Sequence, residues 1–228
     1  MSNRISALLA TAALLLGGCG SGSGGDDDSA EPKARSSRPP RPAACRVGES
    51  ALPAIPDPPE WWLDKPGGPV ALACPGKGAS GGAAIVGFGL ADQACVTAYD
   101  FRAREAFDEL CEEPKSSWTI QCEGNLGCTH AFLHEAGLTR IDGPLDERVK
   151  RIRVLVAGKP LEQGVVVAQV EEKLGRAIQA AERFAFFAIV IPECVEPRQV
   201  RIELFGAGGD RIGTAEGWDA AVDKCRHE

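Results

Sequence analysis

Residues 149–158, VKRIRVLVAG, are the stretch of this chain that decides its fold class, because apolar and charged residues alternate there. In an extended chain, one side carries Ile152, Val154 and Val156, and the other carries Arg151 and Arg153. Successive side chains of a β-strand point to opposite faces, whereas the face of a helix repeats every three to four residues. The stretch therefore predicts a strand with one buried face and one face in water.

The same alternation recurs in residues 198–206, RQVRIELFG. Two further stretches, 164–171 (GVVVAQVE) and 183–192 (RFAFFAIVIP), are more continuously apolar. Strands that are covered on both faces have this composition. These two stretches therefore predict central strands of a sheet.

Residues 171–182, EEKLGRAIQAAE, predict a short helix between the two apolar strands. The glycine-rich run 206–209, followed by Asp210, predicts a turn into a last strand at 211–214. Several strands so close together in sequence indicate a small antiparallel sandwich in the C-terminal half. An immunoglobulin-like type is the architecture we expect there, although the Cys-Trp-Cys pattern of true immunoglobulin domains is not visible.

The first half of the globular part predicts strands at residues 69–74, 82–90 and 93–101, joined as hairpins by glycine-rich turns. Residues 102–113, RAREAFDELCEE, have apolar residues at roughly helical spacing and predict a helix. The fold class expected for the chain is therefore mainly β, with one or two short helices.

The N-terminal segment carries one charged side chain, Arg4, before a short apolar run at residues 7–16. This run is about half the length of the ~20 residues that a membrane span needs. The run ends in Leu16-Gly17-Gly18-Cys19. This segment resembles the signal peptide and lipobox of bacterial lipoproteins. The resemblance implies that residues 1–18 are removed, that Cys19 carries the lipid, and that the protein stays outside the cytoplasm on a membrane. That membrane would be the cytoplasmic membrane at its outer face, or the outer membrane where the host has one.

Residues 19–44 contain the lipobox cysteine and a segment rich in Gly, Ser and Pro, which lacks aromatic and large aliphatic residues. Such a composition cannot form a core, so we expect a disordered tether that spans about 25 to 30 Å. Behind it we expect a disulfide-bonded, β-rich part at 45–140 and a sandwich-like part at 141–228.

The cysteines that remain beside Cys19 form an even set, as in a disulfide framework of an oxidising compartment. They are Cys45, Cys74, Cys95, Cys111, Cys122, Cys128, Cys194 and Cys225. We expect at least three bridges, and we place two of them at Cys74–Cys95 and Cys194–Cys225. A Cys-x-x-Cys redox motif does not occur.

A metal site is the alternative interpretation of one group of these residues: Cys122, Cys128, His130 and His134 supply ligand types that zinc accepts. The two histidines would share a face if HAFLH were helical, but the apolar residues around them suit a strand equally well. The sequence therefore favours disulfides there, and we expect no cofactor.

No catalytic residues are assigned from the sequence. Residues 78–82 match the Gly-x-Ser-x-Gly pattern around Ser80, but a nucleophile elbow needs a strand before the serine and a helix after it. A trypsin-like order needs a histidine before the serine, and the three histidines are at 130, 134 and 227.

Carboxylate pairs occur at Glu112–Glu113 and at Glu171–Glu172, where we expect helix ends rather than a glycosidase site. Trp61 and Trp62 follow a proline-rich segment. They would be a stacking platform for a sugar or a peptide if exposed, and the edge of a core if covered.

The net charge of −7 falls to −8 once residues 1–18, with Arg4, are removed. An acidic chain is repelled by nucleic acids and by anionic membrane surfaces, so we expect attachment to the membrane through lipid and no nucleic-acid partner. The sequence favours a lipid-anchored binding or structural module of the cell envelope, with an envelope protein or a glycan as its ligand. The alternatives are an envelope hydrolase that uses carboxylates or the Cys/His site, and an inhibitor or immunity lipoprotein.

Overall fold

Antiparallel strands make up most of the fold, as the alternating stretches predict. A computed structural model describes residues 44–65, 67–76, 82–90, 93–112, 125–135, 137–180 and 183–215. The strands are β1 (Val70–Ala73), β2 (Ala83–Leu90), β3 (Gln93–Asp100), β4 (Glu105–Ala106), β5 (Leu110–Glu112), β6 (Ala131–Glu135), β7 (Leu138–Leu145), β8 (Arg151–Val156), β9 (Lys159–Pro160), β10 (Val165–Val170), β11 (Phe184–Ile191), β12 (Val200–Phe205) and β13 (Arg211–Thr214), and the helices are α1 (Glu60–Leu63) and α2 (Glu172–Ala177). Neither helix has the length and hydropathy that a membrane span requires.

Three antiparallel sheets form from these strands. The first sheet has the order β1-β2-β3-β4, and β5 also pairs with β3. The middle sheet has the order β10-β11-β7-β6, and the third sheet has the order β13-β12-β8-β9.

The middle sheet is buried on both faces, and β11 shows why its sequence is apolar without interruption. All eight residues of β11 are buried. Phe184, Phe186 and Val190 pack with the first sheet, whereas Phe187 and Ile189 pack with the third sheet. Each of these side chains contributes about 2 kcal/mol on burial, so β11 stabilises two cores at once. The antiparallel sandwich expected for the C-terminal half is present as the middle and third sheets.

The outer face of the first sheet is covered by the segment that precedes β1. Trp62 of α1, which is fully buried, packs with Ala71, Val86 and Tyr99 in a third apolar cluster. The hydroxyl of Tyr99 donates a hydrogen bond to the carbonyl of Pro56, which ties the segment to the sheet. Burial, and the nearby carboxylate of Asp57, raise the pKa of Tyr99 to about 12, so the hydroxyl keeps its proton for this bond.

The helix predicted at residues 102–113 is wrong. The chain turns at 101–104 and then forms β4 and β5, both paired with β3. Phe107 and Leu110 are buried in the core between the first and middle sheets, and the hydroxyl of Thr97 donates to the carbonyl of Phe107 at 2.8 Å. Pairing with β3 thus overrides a helical spacing that is only a few residues long.

Two disulfides have both partners described, Cys45–Cys74 and Cys95–Cys111. The predicted Cys74–Cys95 bridge is therefore wrong. Cys95 lies directly opposite Cys111 in the β3–β5 pair, a partner that the helix prediction concealed.

Cys128 and Cys194 are disulfide-bonded as well. Six bonded cysteines require at least three bridges, which is the number expected. Cys122 and Cys225 lie outside the described residues, so the Cys194–Cys225 pairing stays a prediction.

The boundary expected between residues 140 and 141 falls inside β7, which pairs with both β6 and β11. Residues from both sides of it contribute to the same sheet. The parts 45–140 and 141–228 thus share the middle sheet. Two other C-terminal predictions are confirmed: a short helix, α2, begins at Glu172, although it ends at Ala177, and the turn after β12 leads into β13 at Arg211.

Candidate functional site

The site begins at the end of β3, where Asp100 organises a sharp turn. The Asp100 carboxylate accepts hydrogen bonds from the backbone N–H groups of Arg102 at 2.8 Å and Ala103 at 3.3 Å. Asp residues favour turns because their side chains can bond the backbone two residues on. Arg104 closes the turn with a left-handed φ of 60° and donates its N–H to the carbonyl of Asp100. The chain is thereby reversed into β4, and Glu105 follows at once.

Arg140 of β7 joins the first sheet to the middle sheet. Its side chain is 2% exposed, and its Nε lies 3.5 Å from a carboxylate oxygen of Asp100, which is fully buried. Its Nη2 donates to the carboxylate of Glu105 at 2.9 Å, and its guanidinium lies 5.5 Å from the centre of the Phe107 ring. One guanidinium thus spans two carboxylates, the geometry for which its planar fork is suited.

Asp142, two residues further along β7, extends this group toward His130. The ring Nδ1 of His130 lies 3.7 Å from a carboxylate oxygen of Asp142. The backbone N–H of His130 also donates to the backbone carbonyl of Asp142 at 2.8 Å. The close approach of the segment at Cys128 to β7 depends on Gly143, because a Cβ at this position would lie 2.0 Å from the carbonyl oxygen of Cys128. Pairing with the Asp142 carboxylate raises the pKa of His130 more than burial lowers it, and Asp108 contributes in the same direction.

An open cleft of about 430 Å³ lies beside this buried group. We call it the Trp61 cleft. Its lining comprises Asp57, Pro59, Trp61 and the continuous segment Arg104–Glu109. Glu105 belongs both to the cleft and to the ion pair with Arg140, so the position of its carboxylate is fixed from inside the core.

Trp61 is half-buried, and its ring makes edge contacts with Trp62 at 5.7 Å and Phe88 at 5.4 Å. On the rim, Arg104 forms an ion pair with Asp57 at 3.2 Å; both side chains are largely exposed, so the pair contributes little to stability. The cleft therefore offers an aromatic surface, four carboxylates and one guanidinium to a ligand.

The structure divides the expected tryptophan platform. Trp62 is a core residue, fully buried, whereas Trp61 lines the cleft. Of the carboxylate pairs, Glu171 and Glu172 mark the start of α2 as expected, but Glu112 ends a strand. Glu113, Ser80 and Cys19 lie outside the described residues.

The described residues of the alternative metal site are not brought together. Cys128 is in a disulfide, so its sulfur is not available as a thiolate, and Cys122 lies outside the described residues. His134 lies in β6 and His130 directly precedes it, so the four-residue interval in extended chain separates them by roughly 13 Å, too far for one ion. Within the described part of the chain, no cluster of three His, Cys, Asp or Glu side chains has the arrangement of a metal site.

Sequence reasoning missed Asp100, Glu105, Arg140 and Asp142. The signal that could have found them is the stretch LTRIDGPL, residues 138–145, where Arg140 and Asp142 occupy alternate positions of an otherwise uncharged strand. Charged residues on a buried face are usually paired. A search for their partners would have led to Asp100.

Comparisons with models of protein families, with curated proteins and with solved structures found no match to this chain.

Proposed function

We propose that this chain is a lipid-anchored, extracytoplasmic lipoprotein of the bacterial cell envelope whose folded part is a binding module, and that its ligand occupies the Trp61 cleft. The observation that carries this proposal is the cleft itself. Its volume of about 430 Å³ is in the range of small-ligand sites.

The chemistry of the cleft favours binding a sugar or an amine-bearing group. The apolar face of a sugar ring can stack on an indole, while carboxylates accept hydrogen bonds from hydroxyl and ammonium groups. A glycan of the cell envelope, in particular one with amino groups, combines these properties.

The paired state of the charged groups supports binding rather than catalysis. Glu105 is held by Arg140, and Asp57 is held by Arg104. A carboxylate that is held in place by a guanidinium presents its oxygens in a fixed position, which suits a role as a hydrogen-bond acceptor for a ligand.

Calorimetry with muropeptides from digested cell wall and with N-acetylglucosamine oligosaccharides tests the cleft. We expect Trp61→Ala to weaken binding at least about tenfold, because a stacked indole is typically a major contributor to affinity. Leu63→Ala is the matched control, since Leu63 lies on the same helix and is 59% exposed but does not line the cleft. Equal affinities of wild type and Trp61→Ala for every fragment that binds would contradict the proposal.

Lipid attachment at Cys19 has a separate test in a bacterial host fed with labelled palmitate. We expect label in the wild-type protein and partitioning into the detergent phase, and neither label nor processing in Cys19→Ser. Each buried methylene of a lipid chain contributes about 0.8 kcal/mol, so one chain binds a membrane only marginally and two or three chains are needed for stable attachment. Absence of label from the wild-type protein would refute the anchor.

A further inference from the structure

The outer face of the third sheet carries a concentration of arginine. In β8 and β12, alternate residues such as Val154 and Ile202 are buried in the core against the middle sheet. The residues between them face outward. The arginines of this outward surface, which we call the arginine face, are Arg151, Arg153, Arg201 and Arg211.

Only one carboxylate is placed among these arginines in the described part of the chain, that of Glu203. It lies 3.6 Å from the guanidinium groups of Arg153, Arg201 and Arg211. Those three arginine side chains are 46 to 54% exposed, whereas Glu203 is 11% exposed. Because one buried carboxylate is shared by three guanidinium groups, the face keeps an excess of positive charge toward the solvent.

Phe205 lies close to two of these guanidinium groups. The ring centre lies 4.7 Å from the guanidinium of Arg151 and 5.2 Å from that of Arg153. Stacking on an aromatic ring leaves the N–H donors at the edge of each guanidinium directed outward. The exposed guanidinium groups of Arg153, Arg201 and Arg211 thus present several donors on one face of the sheet.

A second cleft of about 430 Å³ lies where β8 begins and β12 ends, between Lys150 and Gly206. Lys150 lines this cleft, and its backbone N–H donates a hydrogen bond to the backbone carbonyl of Phe205. The cleft therefore lies beside the arginine face. Leu126, Ile212 and Ala207 give it an apolar lining, and Arg148 and Lys150 add cationic groups. Ile212 is 38% exposed. Exposed apolar side chains beside cations are typical of proteins that contact the interface of a bilayer.

We propose that the arginine face and the adjoining cleft dock on a bilayer surface that is rich in anionic, phosphate-bearing headgroups. A guanidinium binds phosphate oxygens in a bidentate manner, and several of them on one face of a sheet can contact several phosphates of a bilayer surface. The charge of −7 predicted repulsion from such a surface, but this charge is a sum over the whole chain, and none of the acidic residues of the Trp61 cleft belongs to the third sheet. The contact is independent of lipid at Cys19.

The test is sedimentation of the full chain with vesicles of phosphatidylcholine alone and with added phosphatidylglycerol. Cys19→Ser is included in every protein so that attached lipid cannot contribute. The ratio of binding to the two vesicle types cancels any contribution of the apolar run near the N-terminus. The face variant carries R151Q, R153Q, R201Q and R211Q together with E203Q, so that no buried carboxylate loses its partners. The control variant carries R46Q, R102Q, R176Q and R183Q together with E49Q, which changes the net charge equally at exposed positions elsewhere.

We expect the starting protein and the control variant to prefer anionic vesicles at least about tenfold, because each basic residue near such a surface raises binding roughly fivefold. The preference should disappear in the face variant and in high salt. A milder variant with only R201Q and R211Q, which should fold even if the larger one does not, is expected to lose a large part of the preference. The proposal is overturned if the starting protein shows no preference, if the milder variant keeps it fully, or if soluble polyphosphate binds to the protein while anionic vesicles do not.

Discussion

Individual charged residues decide how the first and middle sheets meet. Asp100, Arg140 and Asp142 lie in a layer interface that is otherwise apolar. A buried ion pair contributes little net stability, yet removal of one partner leaves an uncompensated charge in the core. We therefore interpret the Arg140 group as a device that fixes the register between sheets and the position of Glu105 in the Trp61 cleft.

Replacement of Arg140 tests this interpretation. We expect Arg140→Met to lower the free energy of unfolding by about 3 to 5 kcal/mol, because the Asp100 carboxylate stays buried without its cation. The double variant Arg140→Met with Asp100→Asn should recover part of that loss. Urea unfolding of the two single variants and the double variant measures the coupling. Additive effects of the two substitutions would show that the pair does not act as a unit.

His130 gives the stability of the protein a predictable dependence on pH. The Asp142 carboxylate raises the pKa of His130 above 6.5, so the folded state binds the proton more tightly than the unfolded state. This contribution is fully present below pH 6.5 and is lost as the pH rises through the raised pKa. We expect the melting temperature of wild type to fall over that interval and that of His130→Gln to fall less. His134→Gln serves as the control and should behave as wild type; a wild-type profile that rises with pH instead would contradict the assignment.

At the scale of elements, strands were predictable where a long stretch alternates between apolar and charged residues. The alternation in VKRIRVLVAG and RQVRIELFG corresponds directly to β8 and β12. The segment 102–113 was not predictable in this way, because its apolar residues are held by pairing with β3 and not by a local period. The disulfide partner of Cys95 was missed for the same reason.

The Cys95–Cys111 bridge ties β5 to β3 and should be a measurable part of the stability. Its sequence separation is 16 residues, and closing a loop of that length contributes about 3 kcal/mol in the chain-entropy model. We expect Cys95→Ala with Cys111→Ala to lower the free energy of unfolding by about that amount and to shift the melting temperature down. Peptide mapping without reduction supplies the direct check: a fragment that joins Cys74 to Cys95 would contradict the pairing.

At the scale of the whole molecule, the layering could not be predicted from the sequence. The continuous apolar run of β11 indicates burial on both faces, but it does not say which strands cover each face. The segment 45–63 over the first sheet depends on Trp62, and a Trp-Trp pair is equally compatible with an exposed platform. The consequence for function is that each outer surface has its own chemistry: the Trp61 cleft is acidic and aromatic, and the arginine face is cationic.

A nuclear magnetic resonance titration shows whether the Trp61 cleft binds a ligand. Wild-type protein labelled with ¹⁵N is titrated with muropeptides from digested cell wall, and the assigned indole N–H signals of Trp61 and Trp62, two of the four tryptophans of the chain, are followed. If the ligand occupies the cleft, we expect a progressive, saturable shift of the Trp61 indole signal and of the backbone signals of residues 104–109. The indole signal of Trp62, which is fully buried, should change much less. Saturable shifts of other signals, with those of Trp61 and residues 104–109 unchanged, would place the ligand elsewhere and contradict binding in the Trp61 cleft.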